Sequence, residues 1–423
     1  MRRLADSQSR ATTRVEWRPL FGLSARSSVA SLLVMDVVIL GAGVAGVATA
    51  IALARLGHAV EIYERRSGAA NLGAGITLWP NACFVLDQLG LLPELVAVSG
   101  RPTRMQRIDW RGAAIASVDI DAINARLGYP TITVFRRDLQ SVLLKHLASA
   151  GVTVSYGQAV QEVGETGQRP WATFESGARI ECDILLGADG RMASVTRRYV
   201  APESRAVYQG FVNWVGIAAG RQRIVDEPQL ILDYWGAATR FGIVPISASA
   251  AYWAGGQAMS LDAARSTENP RDELSCTFAD WPAPVQRVLA SSPPDSIRKI
   301  AVYDVDPIPC WYRGHVLLIG DAAHASLPTS GQGACQALED AWHLGRCLQT
   351  EGTDVLGAFR LFGELRQAKT RNITLSGRQL ARSLFHGTRE DEQRRDEIAR
   401  AADPTLLPIG MASAWRAGLP LAG

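Results

Sequence analysis

Asp36-Val-Val-Ile-Leu-Gly41-Ala-Gly43-Val-Ala-Gly46 is the stretch whose reading decides the fold. Asp36 to Leu40 is a short apolar run of the buried-strand type. The Ala-rich stretch from Val47 to Leu56, closed by Gly57, has the make-up of a helix, and Ala59-Val-Glu-Ile-Tyr63 reads as a second strand. Strand, helix and strand in that order begin a parallel sheet. Gly41 and Gly43 let the backbone turn tightly and approach a pyrophosphate. Gly46 lets helix and strand pack closely, and the helix N-terminus favours phosphate charge. Glu64, with Arg65 beside it, has the spacing of an acid that binds a ribose hydroxyl pair. A glycine-rich turn alone would be weak. In this context it predicts a dinucleotide site, with NAD and FAD both open.

Two further glycine-and-acid turns lie far down the chain. Leu186-Gly-Ala-Asp189-Gly190 follows an apolar run, although a plain Asp-Gly turn explains it as well. Gly320-Asp321-Ala-Ala-His324 follows the strand-sized run Val316 to Ile319, and Pro328 and Gly331-Gln332-Gly333 come next, where a helix begins. Asp321 is placed to hold a ribityl or other polyol hydroxyl. The helix opened at Gly331–Gly333 suits an anion, and reduced flavin is anionic along one ring edge. A merely capped helix is the plainer alternative.

The remaining texture divides the chain. Leu139 to Ala150 reads as a helix following Arg136, and Val152–Tyr156 with Trp171–Phe174 reads as a small hairpin. Between about 205 and 300, alternating aromatic-containing strands predict an antiparallel lobe inserted into the nucleotide-binding lobe. The expected fold is α/β, a Rossmann-like FAD-binding lobe with an inserted antiparallel β-sheet substrate lobe and C-terminal helices. Its expected parts are a leader over 1–34, an FAD-binding domain over 35–106, 130–204 and 300–385, a substrate domain over 107–129 and 205–299, and a helical tail over 386–423. The leader is Arg- and Ser-rich with only Asp6 and Glu16 as acids. It fits a superfluous or disordered extension, and also a targeting segment or structural arm.

At 423 residues, 47% hydrophobic and 20% charged, the chain is long enough for two lobes around a sizeable core. A formal charge of +3 with no concentrated basic patch argues against nucleic-acid and membrane-surface binding. Arg394-Arg395, set among Glu392, Asp396 and Glu397, reads as a solvated helix face. Six scattered cysteines without ligand spacing argue against a metal site and a disulfide framework, and favour a reducing cytoplasm.

Taken together, the three turns resemble those of the single-component FAD-dependent aromatic hydroxylases, the para-hydroxybenzoate hydroxylase-like group, from Met35 to about residue 385. Gly75-Ile-Thr-Leu-Trp-Pro-Asn81, Tyr208-Gln-Gly-Phe-Val-Asn-Trp214 and Trp281-Pro-Ala-Pro-Val-Gln286 are most similar to segments of the FAD-dependent urate hydroxylases within it. The resemblance implies non-covalent FAD. It implies NADH or NADPH as reductant, O2 addition at flavin C4a, and transfer of the hydroperoxide's distal oxygen to a small ring substrate, in a monomer or homodimer. It implies that Arg136 approaches the FAD, Val160 contacts adenine, Asp189-Gly190 serves FAD and the nicotinamide donor, and Asp321 holds the ribityl chain. Arg240 would act near the reacting flavin edge and Tyr252 would bind the substrate; the bland readings are a surface salt-bridge arginine and a half-buried strand tyrosine. Trp79, Trp214 and Trp281 read first as core or lobe-contact residues, with Trp214 also a candidate to border the substrate pocket.

Two positions depart from the group. After Asp189-Gly190 it usually continues x-x-Ser-x-Val-Arg; here Ala193 and Thr196 hold the Ser and Arg slots, with Ser194 and Arg197 one place later. Where the urate enzymes have an acid after the motif proline, this chain has Thr329, which cannot take a ring N–H proton. That points to a methylated purine, another N-heterocycle or a phenol as readily as to urate. His324 is expected to be a structural hydrogen-bonding residue and Cys335 a packing one. A flavin halogenase would carry a Trp-x-Trp-x-Ile-Pro segment and a disulfide reductase a redox cysteine pair; neither is present. A flavin-binding sensor that has lost its chemistry is the rival outside the enzymes.

Overall fold

The computed structural model describes residues 34–69, 74–266 and 269–422, so the expected leader lies almost wholly outside the described residues. Asp36–Leu40 is a strand, buried from Val37 onward, at the heart of a six-stranded sheet. In spatial order that sheet runs Tyr312–Arg313, Val316–Leu318, Ile184–Gly187, Asp36–Leu40, Ala59–Glu64 and Val154–Tyr156. All its pairings are parallel except the one at the Tyr312–Arg313 edge. The central strands are continuous apolar runs because both faces are covered, as parallel sheets require. Helix Val44–Arg55 packs on one side against the long helix Gly333–Glu351.

The expected hairpin of Val152–Tyr156 with Trp171–Phe174 does not form. Val154–Tyr156 joins the edge of the parallel sheet, and Arg169–Phe174 pairs instead with Val160–Thr166 and Arg179–Glu181. A short strand after a helix that packs on the same sheet pairs there more readily than with a distant segment. Both segments are strands, each with a partner other than the expected one.

A seven-stranded sheet forms the second lobe, in the order Arg298–Val305, Ala206–Ala219, Ala250–Ala258, Thr239–Ser247, Leu230–Trp235, Arg104–Asp109, Ala114–Asp119. It therefore starts at Arg104 and takes its last strand beyond residue 299. Alternation along each strand gives it two distinct faces. The outer face carries Trp214, Phe241 and Trp253, buried against Phe278, Val285 and Val288 from the helical segment that follows. The inner face carries Phe211 and Trp235, packed on Ala381, Leu384 and Phe385 at the end of helix Val355–Phe385. Phe211 and Phe385 stack with centroids 4.1 Å apart. Among the described residues no helix is long and apolar enough to cross a membrane.

The tail forms helices Arg389–Ala401 and Leu406–Arg416. Its charged run is not uniformly solvated as expected: Arg394 and Glu397 face water, while Glu392 and Asp396 are buried and Arg395 is turned inward. Those inward positions are three to four residues apart, one stripe of a helix.

Candidate active site

The three glycine-and-acid turns leave the carboxyl ends of three adjacent parallel strands. Gly41 follows Asp36–Leu40, Ala188-Asp189 follows Ile184–Gly187, and Gly320-Asp321 follows Val316–Leu318. The ladder runs on past the strands, with Gly41 N donating to Tyr63 O at 2.7 Å, Ala188 N to Leu40 O at 2.9 Å and Ile319 N to Gly187 O at 2.9 Å. Segments some 280 residues apart thus share one edge, the crevice where open α/β sheets bind ligands.

That edge fits a dinucleotide. A Cβ on Gly46 would lie 1.9 Å from Gly41 O, so only glycine permits this helix–strand approach, whereas a Cβ on Gly43 would meet nothing within 4 Å. The space above Gly43 is open to a phosphate. Helix Val44–Arg55 begins there with no side-chain cap and no acid in its first turn, leaving its N–H groups unpaired with side chains. Glu64 is buried at the end of the next strand, accepting from Ala42 N and Arg66 N at 3.0 Å each, while Arg65 beside it is exposed. Val160 packs on the Tyr63–Phe174 cluster at the same end.

Arg136 opens helix Arg136–Ser149, and burial lowers its pKa, opposed by the charge of Asp321 and reinforced by Arg66 and Arg191. Arg191 Nη1 lies 2.9 Å from Asp321 Oδ2. Arg136 thus lies near two other guanidinium groups and one half-exposed carboxylate, an excess of positive charge, as a pyrophosphate needs. Arg66 and Arg191 escaped the sequence reading because nothing local marks them.

Asp189 is occupied by its own loop. It accepts from Ser194 Oγ at 2.5 Å, Thr196 Oγ1 at 2.6 Å, Val195 N at 2.8 Å and Thr196 N at 3.1 Å. Gly190, at φ +78°, turns the chain for this. Ser194 in turn caps helix Val195–Val200. The displaced Arg197 points back under the last motif: Nη1 donates to Ala322 O and Ala323 O, fixing the turn that presents Asp321. The one-residue shift is therefore absorbed by the fold, and burial brings the Arg197 pKa down to about 10.

Pro328 begins a short 3-10 turn that ends at Gly331, φ +62°, whose carbonyl accepts from Trp79 Nε1 at 3.1 Å. Gln332 is buried, with Oε1 accepting from Asn81 at 2.9 Å and Gln336 at 3.0 Å. Gly333 starts the helix without a side-chain cap, so its first N–H groups face the site unpaired with side chains. Further in, His324 Nε2 pairs with Asp340 at 2.7 Å, and Arg366 bridges Asp340 and Glu339. His324 is structural, as expected.

The inner face of the second sheet closes the site. By strand alternation Arg240, Gly242 and Val244 share it with Tyr252, Ala254 and Gly256 on the paired strand. Tyr252 Oη is 2.7 Å from Thr77 Oγ1, and a Cβ on Gly75 would come within 1.8 Å of its ring. Burial raises the phenol pKa well above its ordinary range, so Tyr252 stays protonated. Arg240 is paired with Gly256, four residues from Tyr252, a separation of roughly 13 Å along the strand. Gly242 and Ala254 lie between them, and Phe385 covers Gly256, where a Cβ would meet that ring at 2.8 Å.

Thr329 Oγ1 donates to Gly377 O at 2.8 Å. Trp214 is not brought to the site. It is fully buried on the outer face, with Nε1 on Glu273 at 3.0 Å, because its strand parity is opposite to that of Asn213. A cavity of about 210 Å³ also lies on that outer side, between Tyr234, Ile243 and Val288, away from the glycine turns.

The fold and the site define a flavoprotein monooxygenase. The chain belongs to the FAD-binding domain family, whose model matches residues 34–353. It is 32% identical over 318 residues, 75% of this chain and 81% of the relative, to the aurachin C monooxygenase/isomerase of Stigmatella aurantiaca. It is 31% identical to the 3-amino-4-hydroxybenzoate 2-monooxygenase of Streptomyces cremeus, covering 91% and 96% of the two chains. It is 29% identical to an FAD-dependent urate hydroxylase of Klebsiella pneumoniae, covering 84% and 91%. The crystal structure of Klebsiella pneumoniae HpxO complexed with FAD and uric acid superposes with a TM-score of 0.82 at 27% identity, covering 91% and 97%.

Proposed function

We propose that the protein uses NADH or NADPH and O2 to hydroxylate a small aromatic or N-heterocyclic ring, purine-like in size, held between Arg240 and Tyr252. The observation that carries this is the convergence of three glycine-and-acid turns on one sheet edge, faced by a sheet surface with small residues between a cation and a phenol. The relatives named for hydroxylating urate, aminohydroxybenzoate and hydroxynicotinate support the same class of ring.

Bound FAD supplies two-electron reduction by the nicotinamide and activation of oxygen. This chain's residues supply the rest. Gly43, the Val44 helix end, Glu64 and Arg136 would hold the nucleotide, and Asp321, now paired with Arg191, would hold the ribityl chain. The uncapped helix at Gly333 stabilises negative charge at its N-terminus. Tyr252, locked by Thr77 and Gly75, orients the ring. The packed end of helix Val355–Phe385 shields the site from water, which keeps the oxidising equivalent from being lost as peroxide.

The engagement of Thr329 with Gly377 favours a ring that needs no carboxylate at that point, such as a phenol or an N-methylated purine, over urate itself. The purified chain is expected to be yellow with one FAD. Purines, methylxanthine oxidation products and phenols would then be screened for stimulated NADH or NADPH oxidation, with product weighed against peroxide. A colourless chain that refuses FAD overturns the reading, and FAD without any ring-stimulated oxidation points to a sensor.

A further inference from the structure

We propose, resting on the reading above, that Arg107 is a specificity-determining residue: with Arg240 it forms a two-arginine clamp for an anionic oxygen group of the ring substrate, a carboxylate or a ring oxyanion.

Arg107 lies in strand Arg104–Asp109, in register with Asp233, on the inner face that carries Arg240 and Tyr252. Its Cζ is 4.9 Å from the centre of the Trp235 ring. Its Nε is shut off from solvent yet has no hydrogen-bond partner among the described residues. A guanidinium is a five-donor group, and leaving a buried donor of this half-buried one without an acceptor is costly unless an anion arrives. Burial lowers its pKa, opposed by Asp233 and reinforced by Arg240.

Asp233 gives it charge but no hydrogen bond. That buried carboxylate is already taken, Oδ1 by Arg240 Nε at 2.6 Å and Oδ2 by Trp235 Nε1 at 2.9 Å. Arg240 bonds through Nε only, so among the described residues its terminal nitrogens have no acceptor. A third guanidinium, Arg395 from the tail, lies 5.0 Å from the Trp235 ring and is paired with Asp396 at 2.8 Å. Arg240 is bonded to Asp233, and Arg395 to Asp396 with Glu392 close by, which leaves Arg107 as the guanidinium of the three with no hydrogen-bonded acceptor among the described residues, beside the small-residue floor. One anionic oxygen group neutralises it, and a planar one matches the arginine forks.

The test uses the FAD-loaded protein and matched probes: benzoate against benzamide and nicotinate against nicotinamide for the carboxylate arm, 4-nitrophenolate against nitrobenzene for the oxyanion arm. Binding is measured by calorimetry and by tryptophan fluorescence. At least one anion should bind about tenfold or more tighter than its neutral partner. Arg107→Gln should remove that preference while neutral-probe affinity and FAD content hold, and Arg107→Lys should keep part of it. Equal binding of acid and neutral partners, no binding of any anion, or a preference that survives Arg107→Gln overturns the proposal. If Arg107 only packs on Trp235, Arg107→Gln lowers the melting temperature and leaves the ratio intact. The anion preference needs no turnover, so a protein that shows it without ring-stimulated NAD(P)H oxidation would sink the hydroxylase reading and spare the clamp.

Discussion

Thr329 Oγ1 donates a 2.8 Å hydrogen bond to the carbonyl of Gly377, so the residue after the motif proline is turned toward helix Val355–Phe385. An acid at that position could not make this bond, because a carboxylate has no proton to donate to a carbonyl. The loop and the helix are therefore matched to threonine. Thr329→Val should lower stability by about 1 kcal/mol with FAD content unchanged, read by urea denaturation. Thr329→Asp should turn its carboxylate away from Gly377 into the site and strengthen urate binding about tenfold or more by calorimetry. Tight urate binding by the unaltered protein would contradict this account.

Gly75 and Tyr252 form a single unit. Gly75→Ala places a methyl 1.8 Å from the Tyr252 ring and must displace it from Thr77. It should match Tyr252→Phe in loosening substrate binding by about tenfold, with more peroxide per NAD(P)H oxidised and FAD retained. Activity and coupling left intact by Tyr252→Phe would remove the tyrosine from substrate binding.

Arg197 braces the Asp321 turn through the carbonyls of Ala322 and Ala323. Arg197→Met leaves those acceptors unpaired, and hydrogen bonds to charged groups contribute about 1.5–3 kcal/mol. FAD affinity should fall by about tenfold or more, seen as flavin lost on gel filtration. Arg197→Lys, which keeps one charged donor, should lose less.

His343 is fully buried with neither ring nitrogen bonded among the described residues. Burial, with Arg366 and Lys369 adding and Asp340 opposing, holds its pKa well below the usual imidazole value. The folded protein keeps it neutral, while the unfolded chain takes up a proton below about pH 6.5. Its contribution is thus complete above about pH 6.5 and is lost as pH falls, at up to about 1.4 kcal/mol per unit. His58, lowered by burial too, adds in the same sense. Denaturation midpoints should drop between about pH 6.5 and 5, and His343→Leu should flatten part of that slope. A slope identical in the variant would refute the assignment.

Much of the cofactor side was legible because local chemistry marks it. A tight turn needs glycine, a ribose needs an acid at the strand end, and an anion needs a free helix start; each leaves a short pattern in the chain. The substrate side was less legible. Arg240 and Tyr252 came only from resemblance, and Trp214 takes its core reading rather than its pocket one because one residue of strand parity separates the two. Arg107, Arg66 and Arg191 leave no local signature, since what singles them out is the company they keep.

The sequence by itself determined the strand–helix–strand start, the three glycine-and-acid turns and the inserted antiparallel texture, because these follow from local sterics and from hydrophobic periodicity. Tertiary structure alone decided that the turns share one edge, that Asp189 is occupied by its own loop while Asp321 remains half-exposed, and that Arg107 and Arg395 from opposite ends of the chain meet over Trp235. Those outcomes depend on strand order and on which face each side chain takes. Both are set by burial summed over the whole chain rather than by any short stretch of it.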